Sequence, residues 1–335
     1  MKIIIDNKIP FIRQRLEPVA EVVYADPAEF TPELVKDADA LIVRTRTICD
    51  AALLEGSSVR LIATATIGMD HIDKSWCEEN GITVANAIGC NAPGVAQYVW
   101  SALLRNGFDP KKHTLGVIGK GHIGSIVTDW GRKLGAKVIV CDPPRERAGL
   151  TDENYLPLDD VLRESDAVTL HTPLIRGGID NTFHLIEYHE LELMKDGAIL
   201  VNAARGPVVD NEDLGSAAAT GKIKAVVDVW EGEPVIDLTL LEEAMTATPH
   251  IAGYSHEGKE RATRMVLEAV EKAFGVTVDK SGLEADYTAP EKISSPQVIL
   301  LSYDPADDTS ALRSAPSEFE KLRSEYEYRR EPSFK

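Results

Sequence analysis

Three side chains of complementary chemistry follow apolar runs in the second half of the chain. Arg205 sits in Val201-Asn202-Ala203-Ala204-Arg205-Gly206, Glu233 in Asp228-Val229-Trp230-Glu231-Gly232-Glu233-Pro234, and His250 in Thr248-Pro249-His250-Ile251-Ala252-Gly253. An arginine offers a planar fork of donors that a carboxylate or 2-oxo acid accepts at two points, which lysine cannot reproduce. A histidine titrates near neutrality and can take a hydroxyl proton as hydride leaves the adjacent carbon. A glutamate bonded to the other ring nitrogen fixes the tautomer and favours the protonated ring. Each residue alone has a plainer explanation: a surface ion pair, a solvated loop carboxylate, one of eight histidines. Their order at the ends of successive strands is what joins them.

An acceptor for that hydride is indicated upstream. Leu115-Gly116-Val117-Ile118 reads as a buried strand and Gly119-Lys120-Gly121-His122-Ile123-Gly124 as a Gly-x-Gly-x-x-Gly turn. A helical run from Ile126 to Leu134 follows, then a second strand, Lys137-Val138-Ile139-Val140-Cys141, ending in Asp142. The first glycine permits the tight turn, the second lets a pyrophosphate approach the backbone, and the third lets helix and strand pack closely. The pyrophosphate then meets the helix N-terminus, where unpaired N–H groups and the dipole favour an anion. A carboxylate at Asp142 accepts from ribose hydroxyls and repels a 2′-phosphate, which selects NAD over NADP. Arg145 could soften that preference, but its plainer reading is a solvated loop arginine.

The elements that must carry these groups alternate between strand and helix, the pattern of doubly wound parallel sheets. Strands are expected at Lys2–Asp6, Val22–Tyr24, Ala40–Val43, Leu61–Thr64 and Thr83–Ala85, forming a small flavodoxin-like α/β domain. A Rossmann-type cofactor domain then runs through the glycine turn and the strands Ala167–Leu170, Ala198–Asn202, Ala225–Asp228 and Ala247–Thr248. The helix Gly258–Phe274 is long enough to return to the first domain, making that domain discontinuous. The expected division is 1–90 with 256–280, then 91–255, then a small α+β C-terminal segment 281–335. That last segment holds a strand-like Val298-Ile299-Leu300-Leu301 and a charged helix from Ser317 to Arg330.

A chain of 335 residues is too long for one core to keep growing, which agrees with several domains. With 54 acidic against 36 basic residues, the net charge of −18 argues against nucleic acid or an anionic membrane as partner. No apolar run approaches membrane-spanning length, and Met1 to Asp6 is too short and too soon charged for a signal peptide, so a cytoplasmic protein is expected. Cys49, Cys77, Cys90 and Cys141 show no paired or ligand-like spacing; they read as buried thiols, and no metal site is expected.

These motifs, together with His171-Thr172-Pro173-Leu174, resemble the D-isomer-specific 2-hydroxy acid dehydrogenases over nearly the whole length to Phe274. Thr64-Ala65-Thr66-Ile67-Gly68-Met69-Asp70-His71, Gly89-Cys90-Asn91-Ala92 and Cys141-Asp142-Pro143-Pro144-Arg145 resemble a subgroup that oxidises a small phosphorylated hydroxy acid on the way to pyridoxal phosphate. The resemblance implies that Arg205 orients substrate, Glu233 supports His250, and His250 is the acid and base. It places Gly119, Gly121, His122, Ile123, Gly124, Asp142, Thr172, Ala203, Ala204, Arg205, Asp228 and Gly253 along NAD, and Thr45, Thr66 and Tyr254 against substrate. The subgroup often has serine where Thr45 stands; threonine keeps the hydroxyl. The tail, through Glu318-Phe319-Glu320-Lys321-Leu322-Arg323 and Tyr328-Arg329-Arg330-Glu331, resembles part of a dimerisation domain, which implies a homodimer. For the substrate phosphate two readings stand: Arg44 and Arg46 beside Thr45, or Arg323, Arg329 and Arg330 of the tail. A 3-phosphoglycerate-type dehydrogenase and an NADH-sensing interaction protein are the competing functions; the presence of Arg205, Glu233 and His250 weighs against the sensor.

Overall fold

The computed structural model describes residues 1–283 and 292–333; residues 284–291 and 334–335 of the expected C-terminal segment lie outside the described residues. The chain divides into two compact units, Met1–Asn91 with the described part of Ser255–Thr288, and Ala92–Tyr254 with the described part of Ala289–Lys335.

In the first unit, β1 (Lys2–Asp6), β2 (Glu21–Ala25), β3 (Ala40–Val43), β4 (Leu61–Thr64) and β5 (Thr83–Asn86) form one parallel sheet in the order β2-β1-β3-β4-β5. Every residue of β3 and β4 is buried, as expected of central strands covered on both faces. The helix His256–Phe274 packs on β4 and β5. Its Ala262, Val266, Leu267 and Val270 recur at helical spacing and are buried. Ser255 caps its start, accepting from Gly258 N, and Gly275 ends it at φ 67°, a left-handed conformation that glycine adopts without steric cost.

In the second unit, β6 (Thr114–Ile118), β7 (Lys137–Cys141), β8 (Ala167–Leu170), β9 (Ala198–Asn202), β10 (Ile223–Val227) and β11 (Thr246–Ala247) form a second parallel sheet. Its order is β11-β10-β9-β8-β6-β7. The chain reverses direction across the sheet between β7 and β8, with β6 at the switch point. Because all six strands are parallel, the loops after β6 through β11 leave by the same edge. The helix Ala92–Arg105 is buried along nearly its whole length and packs against the helix His122–Leu134. Trp100 donates Nε1–H to Val127 O at 3.2 Å, and a side chain at Gly131 would run into the Trp100 ring. Tyr98, without solvent exposure, pairs its hydroxyl with Thr248 Oγ1 at 2.7 Å, tying this helix to the end of β11.

The tail differs from the sequence expectation. Val298–Leu301 is not a strand but part of the helix Pro296–Ser302, packed on Ala92–Arg105. A four-residue apolar run has no periodicity of its own, and Pro296 at the first helical position starts a helix without losing a hydrogen bond. Ile299 is buried while Leu301 is exposed, as helical geometry requires. The charged helix expected from Ser317 to Arg330 is shorter: a single turn at Pro316–Glu318 and a helix Phe319–Ser324, beyond which the described residues form no further helix and Arg329 is buried. All four cysteines are buried thiols; burial pushes Cys49 and Cys141 up to about 12. Among the described residues no helix is long and apolar enough to cross a membrane.

Candidate active site

The loop after β6 forms a cradle whose glycines are required for different reasons. Gly119 has φ 89°, and a Cβ there would lie 2.9 Å from His171 O. A Cβ on Gly124 would overlap the Gly119 carbonyl, so helix and loop meet only because Gly124 lacks one. Around Gly121, the N-cap of the helix His122–Leu134, a Cβ would meet nothing within 4 Å. Open space therefore borders the N-terminus of this helix, whose first amides have no partner within the helix and favour an anion. Facing this loop across the switch point, Thr172 has a buried hydroxyl with no hydrogen-bond partner, and its methyl group lies 3.2 Å from where a Gly119 Cβ would stand. A dinucleotide pyrophosphate, which needs close backbone approach and further donors, fits this cradle.

Asp142 follows β7. Its Oδ2 accepts from Lys120 N at 2.7 Å and its Oδ1 from Arg145 N at 3.1 Å, so the carboxylate is held against the glycine loop while capping the helix Pro143–Arg147. The Arg145 guanidinium is not solvated loop charge: Nε donates to Tyr155 Oη and Nη2 to Asp152 Oδ2, both at 3.0 Å.

Arg205 leaves β9 through Ala203 and Ala204. Asn202 shapes this turn, donating Nδ2–H to Arg205 O at 3.0 Å and accepting from Ala204 N at 3.2 Å. Gly206 lies so close to Trp230 that a Cβ would overlap the Trp230 carbonyl, which draws the loops after β9 and β10 together. Neither Asn202 nor Trp230 is a candidate on residue type alone, because their work is to shape backbone.

Glu233 Oε2 stands 2.8 Å from His250 Nδ1 while its Oε1 accepts from Trp230 N at 2.8 Å. A carboxylate can only accept, so Nδ1 carries the proton and Nε2 is left for exchange. Burial raises the Glu233 carboxyl, but the His250 hydrogen bond and charge, the Trp230 N–H and the Arg323 charge together hold it below the usual range. The neighbouring Glu231 is engaged elsewhere, with His184 Nε2 at 2.9 Å and Asn211 N at 3.2 Å. His250 has φ 58°, a left-handed backbone uncommon for histidine. Such strain persists only where the surroundings enforce it. Here His250 N donates to Asp228 O, and the buried Asp228 carboxylate accepts from Thr248 Oγ1, Ile251 N and Ala252 N. Burial raises the Asp228 carboxyl above its ordinary value. Among the residues expected along the cofactor, Asp228 thus organises the His250 loop, and Gly253 lies in the turn closed by Tyr254 N donating to Ile251 O.

The tail also meets this loop. Arg329, buried, donates to the carbonyls of Gly94, Ile251, Ala252 and Tyr254 and to Gln97 Oε1, and lies over the Tyr303 ring. Its donors are taken up by these carbonyls and by Gln97, so it is a structural clamp and not a phosphate contact. Arg323 Nε donates to Tyr254 Oη at 3.2 Å. In the first unit, Arg44 is bound to Asp6, Thr45 is exposed in the turn after β3, and Thr66 Oγ1 pairs with Thr64 Oγ1 at 2.7 Å.

Known proteins resemble this chain in sequence and in fold. The sequence pattern of the D-isomer specific 2-hydroxyacid dehydrogenase NAD binding domain matches residues 89–252. The erythronate-4-phosphate dehydrogenase of Bacteroides fragilis (strain YCH46) is 47% identical, the match covering 99% of this chain and 97% of the relative. The protein of the same name from Porphyromonas gingivalis is 39% identical over 99% of this chain and 94% of its own. Among solved structures, the Aquifex aeolicus D-lactate dehydrogenase complexed with NAD and lactic acid superposes with TM-score 0.68 at 29% identity, covering 81% of this chain and 94% of that one. The NAD+-bound 3-phosphoglycerate dehydrogenase of Entamoeba histolytica gives 0.69 at 27% identity, over 82% and 96%.

Proposed function

The chain belongs to the D-isomer-specific 2-hydroxyacid dehydrogenases, among the erythronate-4-phosphate dehydrogenases, and from that membership we propose that it oxidises 4-phospho-D-erythronate to (R)-3-hydroxy-2-oxo-4-phosphobutanoate in pyridoxal phosphate biosynthesis. The observation that carries the reading is the Glu233–His250 pair, on loops leaving the same sheet edge as the glycine cradle.

NAD, when bound, supplies the hydride acceptor. The amides at the start of the helix His122–Leu134 would hold its pyrophosphate, Asp142 its ribose hydroxyls, and Thr172, Ala203, Ala204, Asp228 and Gly253 would line its further course. Arg205 holds the substrate carboxylate with its two-pronged fork. His250 Nε2 accepts the 2-hydroxyl proton as the C2–H bond breaks, and Glu233 stabilises the imidazolium that forms. Asp228 keeps His250 in its strained backbone, so the ring needs no reorganisation during the reaction. Arg44, Thr45, Thr66 and Tyr254 are proposed as further substrate contacts, and the protein as a cytoplasmic homodimer that uses its C-terminal segment.

The test is a steady-state panel of 2-hydroxy acids with and without a terminal phosphate, using NAD and NADP in parallel. Turnover is expected with the phosphorylated four-carbon acid and NAD. Faster turnover of 3-phosphoglycerate or of unphosphorylated acids would overturn the substrate assignment, and no turnover of any of them would overturn the enzymatic one.

A further inference from the structure

The two residues whose amides hold the Asp142 carboxylate, Lys120 and Arg145, are both cationic, and both side chains are drawn to a single acidic residue. Lys120 Nζ lies 3.0 Å from Asp152 Oδ2 and 3.0 Å from Glu153 Oε2. Arg145 Nη2 reaches the same Asp152 Oδ2 at 3.0 Å. Tyr155 Oη completes the cluster, accepting from Arg145 Nε and donating to Asp152 Oδ1 at 2.8 Å. Tyr155 is itself fixed by a bridge to Val140 of β7, the strand that ends at Asp142. Lys120 is largely buried in this arrangement and Arg145 about one-third exposed.

A cation beside the ribose carboxylate is what a 2′-phosphate would need, since phosphate recognition rests on lysine charge or the arginine fork. This chain carries two such cations and turns both away. We propose that Asp152 is a specificity-determining residue for the cofactor: it sequesters Arg145, while Lys120 is held by Glu153 as well, so that Asp142 alone faces the ribose and the 2′-phosphate of NADP finds no counter-charge. Rejection of NADP then has two parts, repulsion by Asp142 and withholding of the Arg145 guanidinium by Asp152. The inference rests on the glycine cradle being the nucleotide site, and its test is read in binding, independently of substrate and turnover.

Dissociation constants for NADH and NADPH are measured by nucleotide fluorescence on the full-length protein, wild type and Asp152→Asn, at low and moderate salt. Asp152→Asn is expected to narrow the NADPH-to-NADH ratio at least tenfold, with the gain in NADPH binding shrinking as salt rises. Arg145→Gln alone is expected to leave the ratio as in wild type, because that arginine is already withheld. Added to Asp152→Asn, it is expected to cancel most of the gain. Circular dichroism and melting temperature establish that each variant is folded, and Asp152→Glu, which keeps the charge, should preserve the wild-type ratio. An unchanged ratio in a folded Asp152→Asn protein overturns the proposal, as does a gain that survives Arg145→Gln or a ratio altered by Arg145→Gln alone. A failure of the dehydrogenase reading would instead show as absent turnover with nucleotide binding intact.

Discussion

Asp6, with no solvent exposure at the end of β1, accepts from Arg44 Nε at 2.9 Å and from Arg44 Nη2 at 3.3 Å, so the first residue after β3 is locked to the neighbouring strand. This hold orients the guanidinium and leaves one nitrogen, Nη1, outside the pair. Arg44→Gln is expected to strand a buried carboxylate at a cost of about 2 kcal/mol, allowing for the partial exposure of the arginine. If Nη1 also meets the substrate phosphate, KM rises steeply for the phosphorylated acid and hardly at all for its unphosphorylated analogue. Equal changes on both substrates, with the same loss of melting temperature, assign Arg44 to structure alone and leave Arg323 and Arg330 as the tail arginines to test.

His250→Gln is expected to bind NADH as wild type does and to slow oxidation by about 10²-fold or more, the usual cost of losing a positioned base. Turnover near the wild-type rate would remove His250 from the proton pathway.

Glu233 makes its contribution to stability dependent on pH in a defined direction. Its carboxyl is held below the usual range in the folded protein. The stabilisation is therefore complete above the ordinary carboxylate range and is lost as pH falls through the lowered folded value. The melting-temperature gap between wild type and Glu233→Gln should be widest near neutrality and close in acid. A gap that is constant from pH 7 to pH 3 would contradict the assignment of the ionised pair.

Two glycines of one motif should fail in different ways. Gly124→Ala must push against the Gly119 carbonyl and is expected to destabilise the apoprotein. Gly121→Ala meets open space in the protein, so the apoprotein should melt within a few degrees of wild type while NADH affinity falls at least tenfold. Unimpaired nucleotide binding by Gly121→Ala would mean that no phosphate approaches that backbone.

Asp142→Ala is expected to weaken NAD binding and narrow the preference over NADP. It also removes the cap of the helix Pro143–Arg147, a loss of about 1 kcal/mol that a modest drop in melting temperature should register. Equal use of NAD and NADP by the unmodified protein would contradict the role of this carboxylate.

Much of this arrangement was legible in one dimension because its causes are local. The all-buried strands β3, β4, β8 and β9 are written as near-continuous apolar runs, broken only by Thr64, Thr169 and Asn202, and Gly119, Gly121 and Gly124 are spaced by the turn they make. Parallel strands fed by helices must deliver their loops to one edge, so Arg205, Glu233 and His250 could be grouped from order alone. The sequence could not decide pairings that depend on where two distant loops come to rest. The family resemblance assigned Glu233 to His250, and the structure pairs them, but no local rule sets Glu233 apart from Glu231: the choice turns on a backbone step after β10, and Glu231 goes to His184. Arg145 reads as loop charge until Asp152 and Tyr155 are brought to it, and Arg329 reads as a phosphate candidate until the tail buries it among the carbonyls of the His250 loop. The run Val298–Leu301 became a helix because only packing on Ala92–Arg105 distinguishes its faces. Local propensity and hydrophobic period thus determined the elements and the edge where chemistry gathers. Which charge meets which was decided by tertiary structure, because an ion pair depends on a distance in space that no spacing along the chain encodes.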